Sequence, residues 1–312
     1  MKAAVLMAAS ALAASGAGHQ AADVRITILS TMLSDQGLGE WGFAALVEVD
    51  GKRILFDTGN RPETVLRNAR EMKIDLTGIE DVILSHNHGD HTGGLLTLRE
   101  AYPGSLGRAH VARGIFLSRP RASGEGNPMI AIRKVFEAGG GTFIVHDQPR
   151  EIAPGVWLTG PIARRHPERN WSMGGGAGRL KTERGESAED NLPEDMSLVI
   201  DTAKGLVVVS GCGHAGIVNT LDYAREKIRK APIHAAIGGF HLFNAADDHL
   251  AWTAAQLKRL GLGQFLGAHC TGIEAVYRIR DMAGLSRRTC AVGGVGGGFR
   301  LADGIQPGVI GK

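Results

Sequence analysis

The sequence predicts an α/β protein. Three features carry that expectation: short runs rich in β-branched and aliphatic residues, amphipathic segments of helical period between them, and ionisable residues crowded where one short run ends. The alternation continues along the chain with no repeat or long linker, which points to one α/β domain over residues 23–312. In such architectures chemistry sits on the loops that leave strand C-termini.

The chain opens MKAAVLMAASALAASGAGHQAAD, with one lysine, an apolar stretch from Ala3 to about Ala14, and then small residues. That order reads as a secretory signal over residues 1–22, cleaved between Ala17 and Ala22, and so as a periplasmic or secreted protein. The apolar stretch is too short to span a bilayer. Next come three β-rich runs, VRITILST (24–31), FAALVEVD (43–50) and KRILFDTG (52–59), the last two joined by a hairpin turn at Asp50-Gly51. RPETVLRNAREMKI begins a helix near Pro62, with Val65, Leu66 and Met72 at near-helical spacing. DVILSH (81–86) is a short buried strand, and HAAIGGF and QFLGAH read as strands ending in Gly or His. Residues 215–230, 247–260 and 272–282 are amphipathic helices.

Composition narrows the function classes. With 43% hydrophobic and 21% charged residues, the 312-residue chain can bury a sizeable core. Lys+Arg 35 against Asp+Glu 32 leaves a formal charge of +3, too little and too scattered for a nucleic-acid partner. A small-molecule substrate is expected instead. Cys212, Cys270 and Cys290 are odd in number and mostly far apart, which excludes a disulfide framework but leaves room for one bridge. GGVGGGF near the C-terminus lacks the spacing of a dinucleotide fingerprint and reads as a turn between TCAV and FRLAD.

The chemistry concentrates in SHNHGDH, residues 85–91. His86 and His88, two apart in an extended loop, can face one way. Asp90 and His91 follow a glycine that lets the backbone turn and aim them at a neighbouring point. Imidazole nitrogens and a carboxylate oxygen are the ligand set of zinc and related divalent ions, and two groups aimed at two points suggest two metals about 3.5–4 Å apart.

This pattern resembles the signature of the metallo-β-lactamase fold superfamily. ILFDTG, VVVSGCGHAGIVNTL (207–221), AIGGFHL (236–242) and AHCTG (268–272) are further similar to the group of 7,8-dihydropterin-6-methyl-4-(β-D-ribofuranosyl)-aminobenzene 5'-phosphate synthase-like proteins, and together they cover nearly all of residues 24–300. The resemblance implies an αββα sandwich, two mixed sheets flanked by helices with one or two zinc ions at a sheet edge. It implies His86, His88 and His214 on one metal, and Asp90, His91 and His269 on the other. Asp90 is then both ligand and catalytic carboxylate, and His241 a catalytic proton donor or a partner of the ligands. Asp57 resembles the superfamily's buried aspartate that braces the metal loop. His19, His110, His146, His166, His234 and His249 lack such company and read as surface or core residues.

Two features depart from or extend this picture. Familiar hydrolases of the superfamily carry a bridging aspartate in a Gly-Asp step after a strand, and here the step is Gly211-Cys212. The Cys212 thiolate is a metal-ligand candidate there, and a buried spectator is the competing reading. The irregular stretch 164–195 is expected to be a long active-site loop or lid, with Arg164, Arg165 and Arg169 as clamps for a phosphate or carboxylate and Trp171 as a stacking surface. A solvated basic loop is the bland alternative.

The function expected from these residues is a metal-dependent hydrolase that uses metal-bound hydroxide on a small, phosphorylated or ring-containing substrate. Two alternatives stand beside it. One is a transferase of the synthase type, in which metals stabilise a diphosphate leaving group; the other is a non-catalytic metal- or ligand-binding protein, which the missing aspartate would favour.

Overall fold

The computed structural model describes residues 18–168 and 178–311; the signal-like segment to residue 17, Arg169 and Trp171 lie outside the described residues. Two sheets form the frame. The first runs, from edge to edge, Gly304–Gln306, Gly298–Arg300, Val24–Ser30, Ala44–Val49, Lys52–Phe56, Asp81–Ile83, Arg108–Ala112 and Thr142–His146. The second runs Arg150–Ala153, Val156–Leu158, Leu198–Thr202, Gly205–Ser210, Ile233–Gly238, Gln264–Gly267 and Cys290–Val292.

Side-chain alternation explains why these strands stack as they do. In Gly205–Ser210, Val207 and Val209 join Ile26, Phe43, Ile54, Phe56 and Ile83 in the core between the sheets. Leu206 and Val208 point the other way, onto the helices Ile217–Lys227, Asp247–Arg259 and Ile273–Ala283. The outer face of the first sheet is covered likewise: Leu46, Leu55, Val82 and Leu84 pack on Val65, Leu98 and Phe136 from Thr64–Glu71, Leu95–Ala101 and Pro128–Ala138. The result is helix, sheet, sheet, helix, the αββα sandwich that the resemblance implied.

Each sheet is antiparallel in one half and parallel in the other. Lys52–Phe56, Asp81–Ile83, Arg108–Ala112 and Thr142–His146 are parallel neighbours, as are Gly205–Ser210, Ile233–Gly238, Gln264–Gly267 and Cys290–Val292. Phe56 sits opposite Ile83 in register, and Ser210, Gly238 and Gly267 line up across the second sheet. Loops that leave these aligned ends therefore emerge on one edge of the sandwich.

The stretch from 164 to 195 is not structureless where it is described. Arg179–Lys181 and Ser187–Glu189 form a small antiparallel hairpin, and Leu180 inside it is buried. The sequence pattern missed it because a three-residue strand carries too little periodicity to register.

Candidate metal centre

Five loops bring the chemistry together. Asp57 follows Lys52–Phe56, and His86 to His91 follow Asp81–Ile83. Cys212 and His214 follow Gly205–Ser210, His241 follows Ile233–Gly238, and His269 and Cys270 follow Gln264–Gly267. Three of these residues, Asp57 (φ 56°), His241 (φ 48°) and His269 (φ 45°), hold left-handed backbone that a non-glycine residue adopts at a cost of about 1–3 kcal/mol. The surrounding fold fixes them there, and the side chains converge.

Asp57 organises the group from below, fully buried. Its Oδ1 accepts the Ser85 amide at 2.7 Å and its Oδ2 accepts the Ser85 hydroxyl at 2.8 Å. The same Oδ2 lies 2.7 Å from His91 Nδ1. A carboxylate only accepts, so His91 carries its proton on Nδ1 and presents a lone pair at Nε2. Ser85 Oγ, its proton committed to Asp57, accepts from His86 Nδ1 at 2.9 Å. His86 then has its lone pair at Nε2 as well, a buried atom without a hydrogen-bond partner among the described residues. Burial, reinforced by the neighbouring histidines, pushes the His86 pKa well down and keeps the ring neutral.

Those lone pairs face other donors. His91 Nε2 is 3.1 Å from Cys212 Sγ, 3.3 Å from His269 Nε2 and 3.8 Å from Asp90 Oδ2. His269 Nε2 is 3.3 Å from the same Asp90 oxygen. On the other side the His86 ring lies 4.6 Å from that of His88 and 4.8 Å from that of His214, centroid to centroid. Ligand atoms fall into compact triads, His86/Cys212/His214 and His91/Cys212/His269, each within 4.8 Å. A third triad, Cys212/His241/Cys270, adjoins them. The first two triads gather four imidazoles and a thiol in the interior, and these donor types suit zinc-like ions.

Charge follows the same logic. Burial lowers the His88 pKa to about 4, so it too offers a neutral nitrogen. Burial alone would raise the Asp90 carboxyl, but His91 and His269 outweigh it and hold Asp90 ionised. His269 is the exception: burial would push it down, yet Cys270 and Asp90 beside it raise its pKa to about 10, so it gives up a proton when it takes an ion.

Above these residues opens a cleft of about 430 Å³ lined by Trp41, Asn60, His88, Asp90, His214, His241 and His269, with both thiols at its floor. Trp41, 42% exposed, packs at 4.9 Å from the His269 ring and edge-on to Phe243 at 5.3 Å. His241 stands 4.6 Å from His214, and its two ring nitrogens are buried without hydrogen-bond partners among the described residues.

The sequence-predicted residues divide by position. His86, His88, Asp90, His91, His214, His269, Cys212, His241 and Asp57 are brought together. Arg165 is not: it is exposed and pairs with Glu226 on the helix Ile217–Lys227. Arg164 is partly buried and donates to the Leu192 carbonyl at 2.9 Å, tying down the segment before Asp195.

That segment matters more than its basic residues suggested. Asp195 Oδ2 accepts the Ala215 amide at 2.9 Å, the Met196 amide donates to Ser85 O at 3.0 Å, and buried Arg119 grips Asp190 and Glu194. It clamps the two histidine loops together. Cys270, Trp41 and Ser85 also escaped notice in the sequence, although Cys270 stands next to His269 in AHCTG and could have been read from that adjacency.

No helix among the described residues is long and apolar enough to cross a membrane. All three cysteines are free.

Comparison with known proteins agrees with the geometry. A family model described as the metallo-β-lactamase superfamily matches residues 42–170. The chain is 32% identical over 241 residues to the 7,8-dihydropterin-6-methyl-4-(β-D-ribofuranosyl)-aminobenzene-5'-phosphate synthase of Methanocaldococcus jannaschii, across 75% of this chain and 82% of that protein. Among solved structures, Tm1679, described as a metal-dependent hydrolase of the β-lactamase superfamily, superposes with a TM-score of 0.69 at 28% identity, covering 89% of this chain and 98% of that one. YhfI of Bacillus subtilis, a metallo-β-lactamase fold protein, gives 0.56 at 14% identity over 89% and 99%, a likeness of fold alone. With its histidine loop, its sandwich and these relatives, the chain belongs to the metallo-β-lactamase superfamily, in the group of the dihydropterin-methyl-ribofuranosylaminobenzene phosphate synthase.

Proposed function

We propose that the protein is a metal-dependent hydrolase of a small anionic or ring-bearing substrate. The observation that carries this reading is the pair of buried ring nitrogens, His86 Nε2 and His91 Nε2, turned away from Asp57 toward the other ligand atoms beneath the cleft. His86, His88 and His214 would hold one ion, and Asp90, His91 and His269, with Cys212 between the two groups, a second. When bound, such ions polarise a substrate oxygen and bring the pKa of a coordinated water near neutrality.

The chain's own residues supply the rest. Asp57 keeps the proton of His91 on Nδ1 and, through Ser85, that of His86 on Nδ1, so both rings hold their orientation. His241, at the cleft wall, is placed to give a proton to a departing group. Trp41, backed by Phe243, offers an apolar surface in the cleft for a flat ring. The likeness to Tm1679 supports hydrolysis.

A transferase is the second reading, favoured by the 32% identity to the synthase. Zinc-loaded protein with a panel of phosphodiesters, phosphomonoesters and lactones in heavy-oxygen water separates the two. A hydrolase places the heavy oxygen in its product and needs no co-substrate. A transferase turns over only when an acceptor is added, and its product carries no solvent oxygen. Turnover that is equal in metal-stripped and metal-loaded protein would sink both.

We further propose, from the signal-like N-terminus, that the mature chain is exported. Its first residue, read by N-terminal sequencing of protein from the native cell, is expected between residues 18 and 23. An intact Met1 in such protein would overturn the proposal.

A further inference from the structure

Two cysteine sulfurs lie side by side at the edge of the histidine cluster. Cys212 Sγ and Cys270 Sγ are 3.2 Å apart, too far for a disulfide bond of about 2.05 Å. Both side chains are buried, and both belong to loops leaving aligned parallel strands. A ring nitrogen of His241 lies within 4.8 Å of both sulfurs. Neither nitrogen of that ring has a hydrogen-bond partner among the described residues. None of the three residues belongs to the HxHxDH loop.

The surrounding backbone holds the trio together. The Cys270 carbonyl accepts the amides of Leu242 and Phe243 at 3.0 and 3.3 Å, which fastens the His241 loop to the cysteine loop. Gly239 packs so tightly that an added Cβ would lie 2.0 Å from the Gly211 carbonyl oxygen and 3.0 Å from Cys270 Sγ. These contacts keep the loops that carry Cys270 and His241 together where both thiols line the cleft.

We propose that Cys212, Cys270 and His241 form a sulfur-rich metal pocket that takes a thiophilic ion, zinc or cadmium, in preference to a hard one such as magnesium or manganese. Two sulfurs each about 2.3 Å from a tetrahedral ion stand about 3.8 Å apart, so the thiols need to separate by only about half an ångström to accept one. The ion's charge replaces the two S–H protons, which leave to solvent, and His241 contributes a neutral nitrogen, giving up its proton-donor role while the pocket is filled. Soft thiolate donors favour this class of ion over those that prefer oxygen. Because Cys212 also faces His91 and His269, its sulfur is shared between this pocket and the histidine cluster.

The inference rests on the metal-binding reading above, and X-ray absorption separates the two. Full-length protein, reduced with a phosphine and stripped of metal, is loaded with cadmium and its sulfur neighbours are counted. The expected result is sulfur coordination that drops by one sulfur in Cys270→Ser. Cadmium affinity in that variant falls about 10- to 100-fold while manganese affinity is unchanged. Should Cys270→Ser fail to fold, His241→Ala provides the second variant: it keeps both sulfurs and loses one nitrogen neighbour. Bound cadmium with only nitrogen and oxygen neighbours, or a sulfur count that Cys270→Ser leaves unaltered, would overturn this proposal and leave the histidine site standing. A protein that takes up no cadmium or zinc at all would overturn both.

Discussion

Asp57 is the residue on which the site turns. It accepts three hydrogen bonds at once, from the Ser85 amide, the Ser85 hydroxyl and His91, and so sets the tautomers of two histidines. Asp57→Asn puts an N–H donor among groups that are themselves donors. Metal affinity is expected to fall about 10- to 100-fold with the fold retained, measured by competition with a chromophoric chelator. Unchanged affinity would remove Asp57 from the account. Gly211 is the matching packing constraint: a Cβ there would come within 2.1 Å of Ser85 Oγ and 2.5 Å of Asp57 Oδ2. Gly211→Ala should therefore cost about 1–3 kcal/mol in denaturant unfolding and lower metal content with it. At this scale the sequence was informative wherever residues crowd locally. His86, His88, Asp90 and His91 are legible because they share seven residues, and Asp57 is legible from its LFDTG setting. Trp41 gave no such signal, because what makes it part of the site is contact with loops far away in the chain, whereas Cys270 could have been read from its place beside His269.

Elements were legible where period and length cooperate. The helices expected at 215–230, 247–260 and 272–282 are Ile217–Lys227, Asp247–Arg259 and Ile273–Ala283, and the hairpin at Asp50-Gly51 joins Ala44–Val49 to Lys52–Phe56. Pairing between elements was not legible. His110 and His146, which looked like isolated histidines, sit on the parallel neighbours Arg108–Ala112 and Thr142–His146, with His110 Nδ1 3.0 Å from His146 Nε2 and His110 Nε2 3.1 Å from Asp81 Oδ1. No local pattern reveals the register of strands 30 residues apart. This pair carries a pH dependence. Burial, with His110 next, lowers the His146 pKa from the ordinary 6.5 to about 4. The unfolded chain thus binds more protons than the folded one between those values, and stability rises with pH across that window. The contribution is complete above about 6.5 and lost as pH falls toward 4. Replacing His146 by Gln should flatten the slope of unfolding free energy against pH in that range. An identical slope in wild type and variant would contradict it.

On the scale of the whole molecule, the site joins two sheets. Asp57 and the histidine loop come from one, and Cys212, His214, His241 and His269 from the other. The resemblance anticipated the sandwich because the spacing of motifs along the chain follows the order of strand ends. It gave no view of how Asp195 and Arg119 clamp the loops between them, since those buried polar contacts depend on the folded surface. A ligand bridging the two halves stabilises the folded state through its binding free energy, about 2.7 kcal/mol at one hundred times its dissociation constant. Zinc should raise the melting temperature by several degrees and a chelator should reverse it.

The most direct measurement is metal content per chain, by elemental analysis of protein purified without chelators or a histidine tag, set beside His88→Ala. Zinc at about one to two equivalents in the wild type, largely lost in a variant that keeps its circular dichroism spectrum, is the predicted result. A wild type that holds no divalent metal and gains none on dialysis against zinc, or a His88→Ala protein that keeps full occupancy, would contradict the claim that this histidine cluster is a metal centre.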